Sequence, residues 1–226
     1  NKLIWWEMVI FILGVGVLIA TGSYISLGAF LLAAGWLGLM AWRKSGNWML
    51  GVILVGMLIA GIFLATQWGT ERMNNMLDLS RRSSITVRLQ VWQTAWSLIG
   101  EYPVWGIGLG NFEQKYFDKI GSVFVDPLEW RMLHAHNFWL QTWLTLSVFG
   151  LIIFAWIVIY TWWLGLKIWK SKDGKKWYIG GLLAMLLSFV LTGILDTPYY
   201  KNDFSFIFWL MVGLLVAAKE ILIGDK

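Results

Sequence analysis

Two histidines near the middle of the chain are the first side chains that could carry out chemistry. They stand in the segment His134-Ala135-His136-Asn137. A neutral imidazole, whose pKa is ordinarily about 6.5, is a natural general base for a hydroxyl group. Two other interpretations stay open from the residues alone. The pair could bind a metal ion with Glu129 as a third ligand, or a histidine could simply bond to a backbone carbonyl.

Five arginines precede these histidines in the same polar stretch: Arg131, and four that are candidate substrate-binding residues. Guanidinium groups have a planar fork that binds phosphate or carboxylate through two hydrogen bonds, so a phosphate-bearing substrate is one interpretation. The other is that these arginines are solvated or bind anionic lipid headgroups. The four are Arg72, Arg81, Arg82 and Arg88.

Arg88 has the most informative sequence context of the four. Ser83 and Ser84 are typical N-cap residues, and apolar residues then recur at spacings of three and four. They are Ile85, Leu89, Trp92, Trp96 and Ile99. We therefore predict an amphipathic helix over 84–99, lying on a membrane or packing on membrane helices. Arg88 falls at the margin of its apolar face, where it could meet a lipid-linked phosphate or simply extend its charge to water.

A glycine-rich segment separates this helix from the histidines. It contains Pro103, Gly106, Gly108 and Gly110. The spacing is not G-x-G-x-x-G, and a helix precedes it rather than a strand, which argues against a dinucleotide-binding loop. We predict a compact turn that uses the backbone freedom of glycine.

The composition identifies the elements that must position these residues. Of 226 residues, 58% are hydrophobic and only 14% are charged, and there are 18 tryptophans and no cysteine. Soluble domains have about 25% charged residues, so lipid is the expected solvent. The lack of cysteine excludes disulfides, zinc–thiolate sites and cysteine nucleophiles. The net charge of +5 would suggest nucleic acid for a soluble protein, but here we expect membrane lipid and no nucleic acid.

Six segments are apolar enough for membrane helices, which need about 20 mostly apolar residues. The predicted fold is therefore all-α, a polytopic transmembrane bundle. The predicted spans are 3–20, 24–42, 48–68, 136–163, 177–195 and 204–218. The domain plan is three spans in 1–68, a polar loop at 69–135 that contains the amphipathic helix, and three spans in 136–226. We interpret the first span as retained and not as a signal peptide, because it contains Glu7 and lacks a clear cleavage site.

Basic residues predict the orientation of the bundle. Short loops rich in Lys and Arg stay in the cytoplasm, and all such short loops fall on the side that holds both termini. These are Arg43-Lys44 and the basic segment Lys167–Lys176. The polar loop would then face outward. A channel, or a transporter of lipid-linked or polysaccharide substrate, is an alternative function. The spans have almost no ionisable residue beyond Glu7, which argues against proton or ion coupling in such a protein.

The motifs together resemble the O-antigen ligase and O-antigen polymerase superfamily over residues 81–152. Three features carry the resemblance: the segment Arg88–Trp92, the run from Pro103 to Phe112, and His136-Asn137 with Leu140. In the ligases, His-Asn is followed after nine residues by Gly-x-x-Gly. Here the same spacing leads to Ser147-Val148-Phe149-Gly150, so a serine replaces the first glycine.

This resemblance implies a metal-independent glycosyltransferase of the GT-C type, without a cofactor, in the bacterial cytoplasmic (inner) membrane. It would take a glycan from undecaprenyl diphosphate and pass it to a hydroxyl of a lipid A core sugar, another glycan or a protein. By match, Arg88 would hold the diphosphate and His136 would activate the acceptor. Arg81, Arg82, Arg72 and Asn137 would be further substrate-binding residues. The superfamily usually has about twice as many spans, so a truncated or non-catalytic membrane protein is the alternative.

Overall fold

A computed structural model describes residues 2–42, 47–78, 82–170 and 176–223. Within these ranges the chain forms nine α-helices and no strand, which confirms the predicted all-α class. The first three are α1 (Lys2–Ala20), α2 (Tyr24–Trp42) and α3 (Asn47–Gln67). The polar stretch holds α4 (Glu71–Leu77), α5 (Ser84–Glu101) and α6 (Phe112–Val123). The last three are α7 (Phe138–Lys170), α8 (Lys176–Leu195) and α9 (Asn202–Ile223), and a 3₁₀ turn at Pro198–Tyr200 precedes α9.

The six long apolar helices follow the six predicted spans, and the helix predicted at 84–99 is α5. Two features differ from expectation. The helix α7 continues to Lys170, so the basic segment predicted as a short loop begins as helix. The polar stretch also contains α4 and α6, which were not predicted. The helix α6 buries only Phe112, Tyr116 and Ile120, spaced by four residues, and this narrow stripe is a weak hydropathy signal.

Among the residues that the structure describes, two helices are long and apolar enough to cross a membrane by length and composition, Phe138–Lys170 and Tyr178–Leu195. Shorter apolar stretches lie in the first three helices, at Val9–Ala20, Tyr24–Met40 and Leu54–Gln67. Many large apolar side chains point away from the bundle, as lipid-facing side chains do. Examples are Trp6, Ile10, Leu13, Ile152, Ile159 and Phe206. The chain is thus an apolar helical bundle, and the count of six spans remains a prediction.

The main apolar core lies between α7, α8 and α9, and α2 packs against α8 from the other side. Close approach of these helices depends on small residues, as is common in membrane bundles. A Cβ on Gly165 would collide with Leu183, and one on Gly180 would collide with Trp169. The helices α1 and α3 complete the N-terminal side by packing on each other and on α2.

A second core joins α5 and α6 to the first turns of α7. The helix α5 turns Val91, Ala95 and Leu98 into this core. The predicted apolar face of α5 overlaps this buried face only in part, since Ile99 on it is buried in the second core whereas Leu89 and Trp96 are exposed. The helix α5 is therefore apolar on two faces. One face packs in the protein, and the other is free to border a groove or lipid.

The helix α7 is interrupted at Ser147, whose φ of 72° and ψ of 171° are not helical. The N–H of Val148 donates to Val104 at 3.1 Å instead of continuing the helix. The carbonyl of Leu144 accepts from Ile107 at 2.6 Å and Gly108 at 3.2 Å. The glycine-rich segment thus satisfies the backbone groups that the interruption releases, which buried polar groups require. This confirms a compact turn with glycines at positive φ.

Candidate active site around Arg88 and His136

His136 lies in the turn before α7, in a left-handed backbone conformation with φ of 47°. Asn137 fixes this turn from the next position. Its side-chain oxygen accepts from the N–H groups of Trp139 and Leu140, both at 3.0 Å, and so caps α7. Its amide donates to the carbonyl of Ile194 in α8 at 2.9 Å. Asn137, expected to bind substrate, therefore has both ends of its side chain engaged within the fold.

Asp196, in the turn after α8, faces the imidazole of His136. The Nδ1 atom of His136 lies 3.5 Å from Oδ1 of Asp196, an ion-pair distance that is longer than a closed hydrogen bond. The other oxygen lies 3.0 Å from Nζ of Lys201, and the N–H of Thr197 donates to Oδ1 at 2.8 Å. The His136 side chain above all, with Lys201 and Thr197, outweighs burial and holds the pKa of Asp196 well below its usual range. Asp196 is therefore a stable anion beside the histidine.

Sequence analysis did not identify Asp196 or Lys201 as site residues. Both lie in a short polar turn between two apolar helices, and no motif marks them. One signal could have found them. The predicted topology places this turn on the same side of the bundle as the polar loop, so its charged residues can meet His136.

Arg88 lies one turn into α5 and is half buried. Its guanidinium donates to the backbone carbonyl of Ser84 at 3.2 Å and to the Ser84 hydroxyl. Its Nε atom is buried and has no hydrogen-bond partner among the described residues. Burial lowers the pKa of Arg88 and the nearby Asp196 partly opposes this, but a group that begins at 12.5 stays charged at neutral pH. Arg88 therefore keeps an unused donor and a full charge for a ligand.

Three cavities in the described part of the chain border Arg88, and two of them frame the candidate site. The first, called the polar pocket, has a volume of about 310 Å³. It is lined by Arg82, Ser83, Ser84, Val87, Arg88 and His136. The second, called the apolar groove, has a volume of about 530 Å³ and lies between α2, α5 and α8. Its walls include Ile25, Leu32, Ile85, Leu89, Trp92 and Leu191, with Arg88 at the junction. The site is thus polar on one side of a single guanidinium and apolar on the other.

Of the other three arginines predicted to bind substrate, the structure describes Arg72 and Arg82. Arg82 is exposed, lines the polar pocket and contacts the carboxylate of Glu129. Arg72 lies in α4, and Arg81 lies outside the described residues. Glu129, the third ligand considered for a metal site, is thus paired with an arginine. In the part of the chain that the structure describes, no three His, Asp or Glu side chains group as metal ligands would.

His134 lies close to Tyr200, with ring centroids 6.0 Å apart. Its Nδ1 atom is buried and has no hydrogen-bond partner in the described ranges. Burial lowers the pKa of His134, and the nearby His136 and Lys201 lower it further, against the opposite effect of Asp196. The Tyr200 hydroxyl lies 2.7 Å from that of Thr145 in α7. His134 is therefore a neutral group at the edge of the site, whereas His136 lines the polar pocket.

A comparison with known families gives a match. The sequence model of the O-antigen ligase family matches residues 9–155, which is more than half of the chain and includes Arg88, His136 and the interruption at Ser147. No curated protein and no solved structure matches the chain. The family is membrane-associated, which fits the apolar helices. On this match over most of its length, the chain belongs to the O-antigen ligase family.

Proposed function

We propose that this protein transfers a glycan from an undecaprenyl-diphosphate carrier to an acceptor hydroxyl on the outer face of the bacterial cytoplasmic membrane. One observation carries the proposal: the Arg88 side chain borders both the polar pocket that holds His136 and the apolar groove between α2, α5 and α8. An undecaprenyl-diphosphate glycan likewise has an apolar part and a polar part, joined at the diphosphate. Its polyprenyl chain suits the groove, its diphosphate suits the guanidinium, and its sugar reaches the polar pocket.

The chemistry assigned to Arg88 is stabilisation of the leaving group. When the bond between the sugar carbon and the diphosphate oxygen breaks, negative charge develops on that oxygen. A fixed guanidinium with a free Nε–H can bind this charge as it forms, and the half-buried position strengthens the interaction. Arg82, on the wall of the same pocket, is placed to share the charge if it exchanges Glu129 for phosphate.

The chemistry assigned to His136 is proton removal from the acceptor. The carboxylate of Asp196 lies on the Nδ1 side of the ring and favours a proton there, which leaves the Nε2 lone pair for the hydroxyl. As the acceptor oxygen bonds to the sugar carbon, its proton passes to Nε2. One C–O bond forms, one C–O bond breaks, and the carrier diphosphate leaves.

The surrounding topology completes the proposal. We propose six membrane spans, with the short basic loops in the cytoplasm and residues 69–135 outside, in an architecture of the GT-C type. The acceptor is a lipid A core sugar, a further repeat unit or a protein hydroxyl. These acceptors correspond to ligation, polymerisation and protein glycosylation, which share the same donor chemistry at Arg88 and His136.

The test is transfer by the purified protein in lipid bilayers from an undecaprenyl-diphosphate glycan. We expect Arg88→Ala to lower turnover by about 10²–10³-fold, because one preorganised donor to the developing charge is lost. We expect His136→Ala to lower it by about 10²–10⁴-fold, as for other general bases. Arg131→Ala is the matched control, since Arg131 pairs with Glu113 and packs over Phe117.

Two results would contradict the proposal. Full activity of either Arg88→Ala or His136→Ala would remove the role assigned to that residue. Movement of the lipid-linked glycan across the bilayer without any glycosylated product would instead indicate a transporter.

A further inference from the structure

We infer that Trp92 is a positioning residue that holds His136 in place through its backbone carbonyl. The indole Nε1 of Trp92 donates a hydrogen bond to the carbonyl oxygen of His136 at 3.2 Å. The two residues lie in different elements, α5 and the turn before α7. The inference rests on the proposed function, because a positioning role presupposes that His136 acts on a substrate.

The backbone of His136 needs external support. Its φ of 47° is left-handed, a conformation that is costly for a residue with a side chain. Such conformations persist when surrounding contacts determine them. Here three elements converge on the turn: α8 holds Asn137 through the Ile194 carbonyl, and Asp196 faces the imidazole. Trp92 supplies the contact from α5, and its hydrogen bond is made to the peptide carbonyl of His136 itself.

The position of Trp92 on α5 links this support to the donor site. Trp92 follows Arg88 by four residues, so the two side chains lie on the same face of the helix. The Trp92 ring lines the apolar groove, and Arg88 lies at the junction of the groove and the polar pocket. The helix α5 therefore carries both Arg88, which is assigned to the leaving diphosphate, and Trp92, whose indole N–H positions His136.

Removal of the indole N–H should act on the chemical step and spare donor binding. Without that bond the His136 peptide can rotate, and a small displacement of the imidazole lowers the fraction of correctly aligned complexes. Arg88 and the groove stay intact, so the donor should bind as before. An interaction that matters only for the aligned complex appears in kcat and not in KM.

The experiment replaces Trp92 with 3-benzothienylalanine, in which sulfur takes the place of the indole N–H while the ring keeps its shape. We expect kcat to fall about tenfold, as for one neutral hydrogen bond, with KM within about twofold of the wild-type value. Trp92→Ala, which also removes a wall of the groove, should raise KM as well. The same replacement at Trp96, an exposed residue one turn further along α5, is the matched control and should change neither value.

A second readout does not depend on transfer activity. We expect the rate at which diethyl pyrocarbonate modifies His136, followed by mass spectrometry, to change several-fold in the benzothienylalanine variant. The rate for His134 and the thermal unfolding midpoint should stay near their wild-type values. Unchanged kcat together with unchanged His136 modification would overturn the inference. A parallel change at both histidines with a lowered midpoint would overturn it too, because Trp92 would then support the fold in general.

The two proposals fail in distinguishable ways. If Arg88→Ala and His136→Ala keep full transfer activity, the proposed function is wrong. The His136 modification rate still decides whether Trp92 holds that turn. If both of those variants lose activity while the benzothienylalanine variant keeps kcat, the function stands and the role of Trp92 is wrong.

Discussion

The imidazole of His136 and the carboxylate of Asp196 face each other at 3.5 Å, although α7 and α8 lie between them in the chain. His136 lies within the segment that matches the family, and Asp196 lies beyond its end at residue 155. The pair forms because α7 and α8 pack as neighbours and return the chain to the same end of the bundle. The packing of the helices therefore completes a site that the motif region only begins.

Replacement of Asp196 by asparagine should impair transfer more than binding. The amide keeps the size of the side chain but loses the negative charge that favours a proton on Nδ1 of His136. We expect turnover to fall roughly 10²-fold, as when a group that orients a catalytic histidine is removed, with donor affinity nearly unchanged. Asp203→Asn, at the exposed first turn of α9, is the control. A wild-type rate in Asp196→Asn would show that His136 needs no such partner.

Gly106 should be intolerant of any side chain. It has a φ of 67°, and a Cβ there would overlap the backbone carbonyls of Leu144 and Trp143. Gly110 has a similar φ of 75° but open space around it, so Gly110→Ala isolates the backbone effect. We expect Gly106→Ala to lower the free energy of unfolding by about 1–3 kcal/mol more than Gly110→Ala, through overpacking. Denaturation in detergent micelles measures this difference. Equal effects of the two variants would contradict the close packing of Gly106 against the backbone of α7.

Ser147→Gly should stabilise the protein. Ser147 combines a φ of 72° with a ψ of 171°, a region occupied almost only by glycine, and strain there costs about 1–3 kcal/mol. The ligases have glycine at this position of the motif. The change loses a weak contact, since the Ser147 hydroxyl accepts from Gly150 at 3.5 Å. We expect a net gain of about 1 kcal/mol in the free energy of unfolding.

The control for this substitution is Ser147→Ala, which keeps the Cβ and therefore the strain. It should be no more stable than the wild type. If the glycine variant unfolded at the same temperature as the alanine variant, the strain assigned to this position would be absent.

His134 should make the folded state sensitive to mild acid. Burial lowers its pKa in the folded protein below the usual 6.5, so the unfolded chain binds the proton more readily. The stabilisation is then complete above about pH 6.5 and is lost progressively as the pH falls from there toward the folded pKa. Asp196 behaves differently. Its pKa is lowered from 3.8, so its contribution is present above that value and stays constant over this window.

The measurement is the thermal unfolding midpoint from about pH 7.5 to about pH 5.5. We expect the midpoint of the wild type to fall across this range. His134→Phe, which keeps an aromatic ring beside Tyr200, should show a smaller fall. Parallel curves for the two proteins would rule out His134 as the group responsible.

The features that depend on local chemistry could be predicted from the sequence. Hydropathy located the six long helices, because each needs only a run of apolar residues. Ser83 was one of two serines considered for the N-cap of the helix that carries Arg88, and the structure shows its side chain accepting from the N–H of Thr86. The prediction for Arg88 and His136 placed both at a membrane boundary, and the structure brings both to the polar pocket.

The features that depend on packing could not be predicted. The predicted topology places Asp196 on the same side of the bundle as His136, but the contact itself follows from how α7 and α8 pack. The interruption of α7 at Ser147 lies in an apolar segment that fits an unbroken helix, and its stability depends on hydrogen bonds to a distant glycine turn. The second apolar face of α5 was missed because Val91, Ala95 and Leu98 become a buried stripe only when α6 covers them.

The apolar groove between α2, α5 and α8 has exposed Leu32 and Leu89 on its walls. The lipid-linked carrier proposed for this groove would arrive sideways, by diffusion within the lipid sheet, and would not pass through water. Its effective concentration is then a number of molecules per unit of membrane area. Two cells with equal amounts of carrier but different membrane areas would present different carrier concentrations to Arg88. Growth of the membrane alone would therefore slow the reaction unless carrier synthesis kept pace.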